Sequence, residues 1–230
     1  MYVLLDLDGT ITDPFAGISA GIRHAFTHVG VAVPSEQTLR SMIGPPFQET
    51  FPDLGIPLHR IEDAIHAYRS VYDEGGKLFD ATLYDGIEKA LDTLVDEGHL
   101  LALATSKPEG PAQRIVNHFG IHSKLVFLGG ATADGARRHK ADVIEHVLRS
   151  TGADPANSVM VGDRNVDILG AHTHGLHSIG VRWGYADPGE LEALAPSALV
   201  GHPDELIAAV TRLAHSSSRH RERATGETEF

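Results

Sequence analysis

Cysteine is absent from the 230 residues, which excludes a disulfide framework, thiolate metal ligands and a cysteine nucleophile. Basic charge is scarce. Nineteen Lys plus Arg stand against 31 Asp plus Glu, a formal charge of -12 that repels nucleic acid and anionic membrane surfaces, and no basic patch offsets it before residue 219. No apolar run approaches the roughly 18 residues that span a bilayer. The first apolar run begins at residue 2 and leaves no room for the charged and apolar regions of a signal peptide, so a cytoplasmic location is expected. Internal repeats are also missing. What remains is an ordinary globular composition, 42% hydrophobic and 22% charged, in a chain long enough for one sizeable core with an insertion or a small second domain.

Short apolar runs alternate with amphipathic helical patterns from residue 80 onward, as in βαβ units with a parallel sheet. The strands read as "VLLDL", "HLLALAT" ending at Thr105, "KLVFLGG" ending near Gly130, "SVMVGD" ending at Asp163, "HSIGVRW" ending near Trp183, and a weaker "SALVG". Helices are expected over Gly86 to Glu97 and Ala141 to Ser150. Before residue 80 the period changes: Phe15, Ile18, Ile22, Phe26 and Val29 recur at helical spacing, as do Ile61, Ile65, Tyr68 and Tyr72. The expected fold is therefore α/β, a Rossmann-like parallel-sheet core of residues 1–13 and 80–215 with an inserted all-helical cap of residues 14–79. Residues 216–230 are polar and aperiodic and are expected to form a disordered tail.

The carboxyl ends of parallel strands face one crevice, and four polar clusters fall at such ends. Asp6 and Asp8 leave the first strand from the same face. Thr105, Ser106 and Lys107 follow the second, Lys140 opens a helix, and Asp163 and Asp167 share a helix face if the helix begins near Asp163. Four converging carboxylates require a counter-charge. An oxygen-only donor set beside a phosphate suits Mg²⁺. Lys140 adds a second positive charge, and the helix start after Thr105 and Ser106 offers amide groups to an anion. His172, His174 and His177 do not share a helical face and are expected at the surface.

"DLDGT" at 6–10, "TSK" at 105–107, Lys140 and "VGDRNVD" at 161–167 resemble, in order, the four motifs of the haloacid dehalogenase-like hydrolases, over the chain to about residue 214. The block holding "MIGPPFQETF" is similar to the helical cap of the phosphoglycolate phosphatase-like subgroup. The resemblance implies that Asp6 is the nucleophile, that Asp8 is the acid-base residue, and that Thr105, Ser106 and Lys140 bind phosphate. It also implies that Asp6, Asp8 (through its carbonyl), Asp163 and Asp167 hold Mg²⁺. The expected activity is hydrolysis of a small phosphorylated metabolite through an aspartyl-phosphate, with neither nucleic acid nor membrane as partner and the oligomeric state open.

Alternatives remain at this level. A sugar phosphomutase shares the nucleophile and acid, and a non-catalytic phospho-ligand-binding protein shares the fold. Lys107 and Arg164, beside the motifs, either touch the substrate or lie exposed.

Overall fold

The structure, a computed structural model, describes residues 1–132 and 134–226. Strand β1, Tyr2–Leu5, has Val3, Leu4 and Leu5 wholly buried, as a strand covered on both faces requires. The two-residue strand β2, Thr12–Asp13, leads into helices α1 (Phe15–His28), α2 (Glu36–Ser41), α3 (Phe47–Asp53) and α4 (Ile61–Arg69). A π-helical turn, Ser70–Glu74, extends α4, and the chain returns through β3, Thr82–Leu83. There follow α5 (Ile87–Asp96), β4 (Leu100–Pro108), α6 (Glu109–His118), β5 (Leu125–Ala131) and α7 (Lys140–Thr151). The remainder is β6 (Ser158–Gly162), α8 (Asn165–Thr173), β7 (His177–Val181), β8 (Ala198–Val200) and α9 (Pro203–Gly226).

Six of these strands form one parallel sheet in the order β5-β4-β1-β6-β7-β8. The fold is thus Rossmann-like. β1 lies between strands that enter the sequence about 100 and 160 residues later, with Leu5 opposite both Leu103 and Val161. The chain therefore winds outward from β1 in both directions, and the crevice at such a reversal is where α/β sheets bind ligands. The expected strands are all present. β4 runs past Thr105 to Pro108, its register against β5 shifting between Ala104 and Pro108; such an irregularity re-aims side chains and is invisible to period counting.

Residues 15–79 form a helical module whose two connections to the sheet are tied together by β2 and β3, paired antiparallel through Thr12–Leu83 and Asp13–Thr82. These strands are too short for a periodic signal. Within the module, the buried Phe26 meets Phe51 edge-on at 5.4 Å, Phe47 stacks on Phe51 at 4.8 Å, and Tyr68 stacks on Tyr72 at 5.1 Å. Aromatic pairs in these geometries add to their area burial.

Helix α9 continues to Gly226, whereas order was expected to end near residue 216. Arg, Glu and Ala in "RHRERA" are strong helix formers, so backbone propensity carries the helix beyond its last apolar repeat. The rest of the expected tail, residues 227–230, lies outside the described residues.

Phe26→Ala should lower unfolding free energy by about 3–5 kcal/mol, the cost of removing a wholly buried ring and leaving a cavity. Urea unfolding of the two proteins measures it.

Candidate active site

Asp6 follows β1 directly, and the next turn is wound around one carbonyl: Leu7 O accepts from the amides of Thr10, Ile11 and Thr12 at 3.3, 2.9 and 2.9 Å. Gly9 has φ +86, and a Cβ there would fall 2.1 Å from Asp163 Oδ2. A Cβ on Gly184 would fall 2.4 Å from the same oxygen. Asp163 is therefore wedged between two glycines, where Tyr185 N donates to Oδ2 at 2.8 Å and Thr10 Oγ1 to Oδ1 at 3.3 Å. Trp183 braces this wall by donating from Nε1 to Thr10 O at 3.1 Å.

Asp6, Asp163 and Asp167 are all buried, and an oxygen from each lies within 4.8 Å of the others. Among the described residues this is the one such group of metal-ligating side chains, so His172, His174 and His177 do not form one. Lys140, 3% exposed, donates to Ala104 O at 2.9 Å and lies 2.9 Å from Asp6 Oδ1 and 2.8 Å from Asp167 Oδ1. These carboxylate contacts are ion pairs, because Asp6 Oδ1 and Asp167 Oδ1 accept no hydrogen bond of good geometry. Burial alone would lower the Lys140 ammonium, but Asp167 and Asp6 outweigh it and hold it above its usual value. Burial, then Asp167 and Asp6, pushes the Asp163 carboxyl well up. Burial likewise raises Asp167 to about 6 against the pull of Lys140. These shifts mark negative charge without enough compensation.

The second pair is Asp8 and Lys107. Lys107 Nζ lies 2.7 Å from Asp8 Oδ2 and donates to Tyr72 Oη at 2.8 Å, with its side chain 6% exposed. Burial raises the Asp8 carboxyl despite Lys107. Thr105 is buried, and its Oγ1 accepts the Lys107 amide at 3.2 Å, leaving the hydroxyl proton available to a ligand. The seven expected site residues divide as follows: Asp6, Asp8, Thr105, Ser106 and Lys140 line a cavity of about 330 Å³, and Asp163 and Asp167 do not line it but cluster with Asp6. The module roofs the cavity with Met42, Phe47, Ile65, Tyr68 and Tyr72.

Four buried or nearly buried carboxylates thus face two ammonium groups, a net of two negative charges. One divalent cation balances them. The oxygen-only donors, the two orphaned oxygens and the glycine-walled Asp163 all fit a hard dication. Asp167 is also tied to protein, its Oδ2 accepting Arg164 N at 3.0 Å.

Arg164 joins this loop to the module. Its guanidinium donates to Ile43 O at 2.6 Å and Ser41 O at 3.4 Å, and to Glu190 Oε1 at 3.0 Å.

A family profile described as "Haloacid dehalogenase-like hydrolase" matches residues 3–181. The chain belongs to the haloacid dehalogenase-like hydrolases. Among relatives of this hydrolase, Tyrosine-protein kinase PtkA of Mycobacterium tuberculosis is 43% identical over 183 residues, 80% of this chain but 62% of PtkA. The chain thus spans under two thirds of that relative's length. The 5'-nucleotidase of Pseudomonas aeruginosa is 37% identical over 196 residues, 85% of this chain and 88% of the nucleotidase. Among solved structures, a haloacid dehalogenase-like family protein from Streptococcus pneumoniae superposes with a TM-score of 0.84 at 28% identity, covering 90% and 96% of the two chains. The M. tuberculosis PtkA structure gives 0.80 at 38% identity, covering 91% and 97%.

Two residues of the crevice carry no decisive signal in the sequence. Lys107 and Arg164 are both tied down rather than exposed, through Tyr72 and through the carbonyls of Ser41 and Ile43. The "TSK" tripeptide was the available signal for Lys107; nothing local announces its partner 35 residues away.

Arg164→Ala should speed backbone hydrogen exchange across residues 41–47 by about tenfold, roughly one charged hydrogen bond's worth of local stability. Exchange mass spectrometry resolves the peptide.

Proposed function

We propose that this hydrolase is a Mg²⁺-dependent phosphatase of small phosphorylated metabolites, working through an aspartyl-phosphate on Asp6. The observation that carries the reading is the convergence of Asp6 and Asp8 from β1, Thr105 from β4, Lys140 from α7 and Asp163 from β6 on one roofed cavity.

An Asp6 oxygen attacks phosphorus while the ester P–O bond breaks, and the departing oxygen takes a proton from Asp8. Water then attacks the same phosphorus, gives its proton to Asp8 and releases inorganic phosphate as the bond to Asp6 breaks. Burial raises the Asp8 carboxyl, the direction that favours a proton donor in the first step. Lys140 fixes Asp6, while the Thr105 hydroxyl and Ser106 are placed for the phosphoryl oxygens, where fixed donors stabilise developing charge. Asp6, Asp163, Asp167 and the Asp8 carbonyl would hold the cation, which when bound neutralises phosphate charge as a Lewis acid. The helical module acts as a cap, whose closure excludes water and favours small substrates. The 5'-nucleotidase relative, together with the aromatic roof, supports nucleotides among the candidate substrates.

A second reading replaces water by another hydroxyl acceptor, and the similarity to a protein named a tyrosine kinase favours keeping it. Both readings share the phosphoenzyme; only the fate of the phosphoryl group differs.

Phosphate release from a panel of nucleotides, sugar phosphates and phosphoglycolate should require Mg²⁺ and stop with EDTA. Ca²⁺ should support it poorly, because its longer bonds and higher coordination number would draw Asp6 away from in-line attack. Full turnover in chelator would remove the metal.

The roles of the opening pair separate by mass. After rapid acid quench with an activated ester, Asp8→Asn should carry one added phosphate, since its second step lacks a base, while Asp6→Asn should carry none and turn over at background. A label on Asp6→Asn would rule out Asp6 as nucleophile.

A further inference from the structure

The Asp8 carboxylate is held asymmetrically. Lys107 pins Oδ2 at 2.7 Å, whereas Oδ1 is buried and accepts no hydrogen bond. A carboxylate free to turn about its Cβ–Cγ bond would exchange its oxygens; an ammonium fixed on one of them stops that exchange and leaves the other unpartnered, on a side chain that lines the cavity. Lys107 is itself fixed from the opposite side. Tyr72 Oη accepts from Nζ at 2.8 Å, and the ammonium lies 4.8 Å from the Tyr72 ring centroid. Tyr72 is 3% exposed and stacked on Tyr68. It belongs to the π-helical turn Ser70–Glu74, a widened turn of a kind that recurs at functional sites. A rigid chain of contacts therefore runs from the helical module through Tyr72 and Lys107 to one oxygen of Asp8.

We propose that Lys107, held by Tyr72, is a positioning residue that presents Asp8 Oδ1 to the leaving-group oxygen, so that the seating of the helical module governs proton delivery. This rests on the phosphatase reading. In the first step, the Oδ1–H bond breaks as the leaving oxygen takes the proton and the P–O ester bond parts. Lys107 keeps its own protons throughout and touches neither phosphorus nor the leaving group. With the module displaced, Tyr72 moves away, Lys107 loses one of its two anchors, and Asp8 is free to turn. Protonation then becomes inefficient in the open state.

The proposal separates from a plain structural role because proton delivery matters only when the leaving group needs it. Wild type, Tyr72→Phe and Lys107→Met are compared on an alkyl phosphate and on p-nitrophenyl phosphate, with Mg²⁺ and with melting temperatures recorded. Tyr72→Phe should lower kcat on the alkyl ester about five- to tenfold, and Lys107→Met about a hundredfold, within the range of acid-base contributions. The nitrophenyl ester should lose at most about threefold, and KM should move little. Tyr72→Phe removes a single oxygen from the module, so it carries the test even where Lys107→Met fails to fold. Equal losses on both esters, or none on the alkyl ester, would overturn the positioning role. Wild type inert toward both esters would instead bring down the phosphatase reading and this inference with it.

Discussion

Buried negative charge is the constraint around which this protein is built. Asp6, Asp8, Asp163 and Asp167 crowd one crevice, with Lys107 paired to Asp8 and Lys140 to Asp6 and Asp167. Removing a carboxylate from water costs several kcal/mol even after relaxation, and removing one partner of a buried pair costs more than the pair contributes. The surrounding chain is accordingly given over to restraint. Asp163 is clamped by two glycines and the Tyr185 amide, and Asp167 accepts the Arg164 amide. Lys140 donates to Ala104 O and is ion-paired with Asp6 and Asp167. Such a site would be relieved of uncompensated charge by a dication, which would make affinity for the proposed cation a property of the fold rather than of any single ligand.

The sheet carries that load through β1, an internal strand whose end would supply the proposed nucleophile. β1 is flanked on both sides, in register, by the strands that deliver Thr105 and Asp163. Neither neighbour can shift relative to Asp6 without breaking a ladder of parallel hydrogen bonds. Precision at the three strand ends is thus inherited from wholly buried Leu4, Leu5, Leu103 and Val161, whose packing tolerates little change in volume. Substitutions in this layer should act on chemistry and on stability together.

Much of this arrangement is legible in the sequence. Asp6 and Asp8 announce themselves by period two after an apolar run, and the helical module by a change of period from two to 3.6. Those are local signals. Lys107 was not legible because its role depends on Tyr72, on a different element, and on an irregular end to β4 that period counting places at Thr105. Arg164 was hidden for a related reason: its acceptors are backbone carbonyls of Ser41 and Ile43, which carry no side-chain signature. The extension of α9 escaped because propensity without an apolar stripe looks like disorder to a periodicity argument. What the sequence withholds, in each case, is contact across elements.

The two hidden residues have a feature in common that bears on turnover. At its crossings to the sheet the module is anchored by the β2–β3 ladder and by Gly17 N donating to Asp80 O at 3.0 Å, and apolar packing runs continuously from the module into the core. Beside the cavity, by contrast, the links are polar: Lys107 to Tyr72, and Arg164 to the carbonyls of Ser41 and Ile43. Apolar surface pulled into water costs about 25 cal/mol per Å², with nothing returned. A hydrogen bond exposed to water is replaced by another, at a net of roughly 0.5–1.5 kcal/mol, or about 1.5–3 where a charge takes part. An apolar seam by the crossings and polar links by the cavity favour rotation about the former and release at the latter, as in hinged closure. Polar links also fail selectively: each holds only at the right distance and angle, so a partly closed module keeps its apolar seam while losing its grip on Asp8 and on the Asp163–Asp167 loop. On the proposed mechanism the acid would be aimed only when the cavity is shut, and the phosphoryl group would meet an organised proton donor only after bulk water has been displaced.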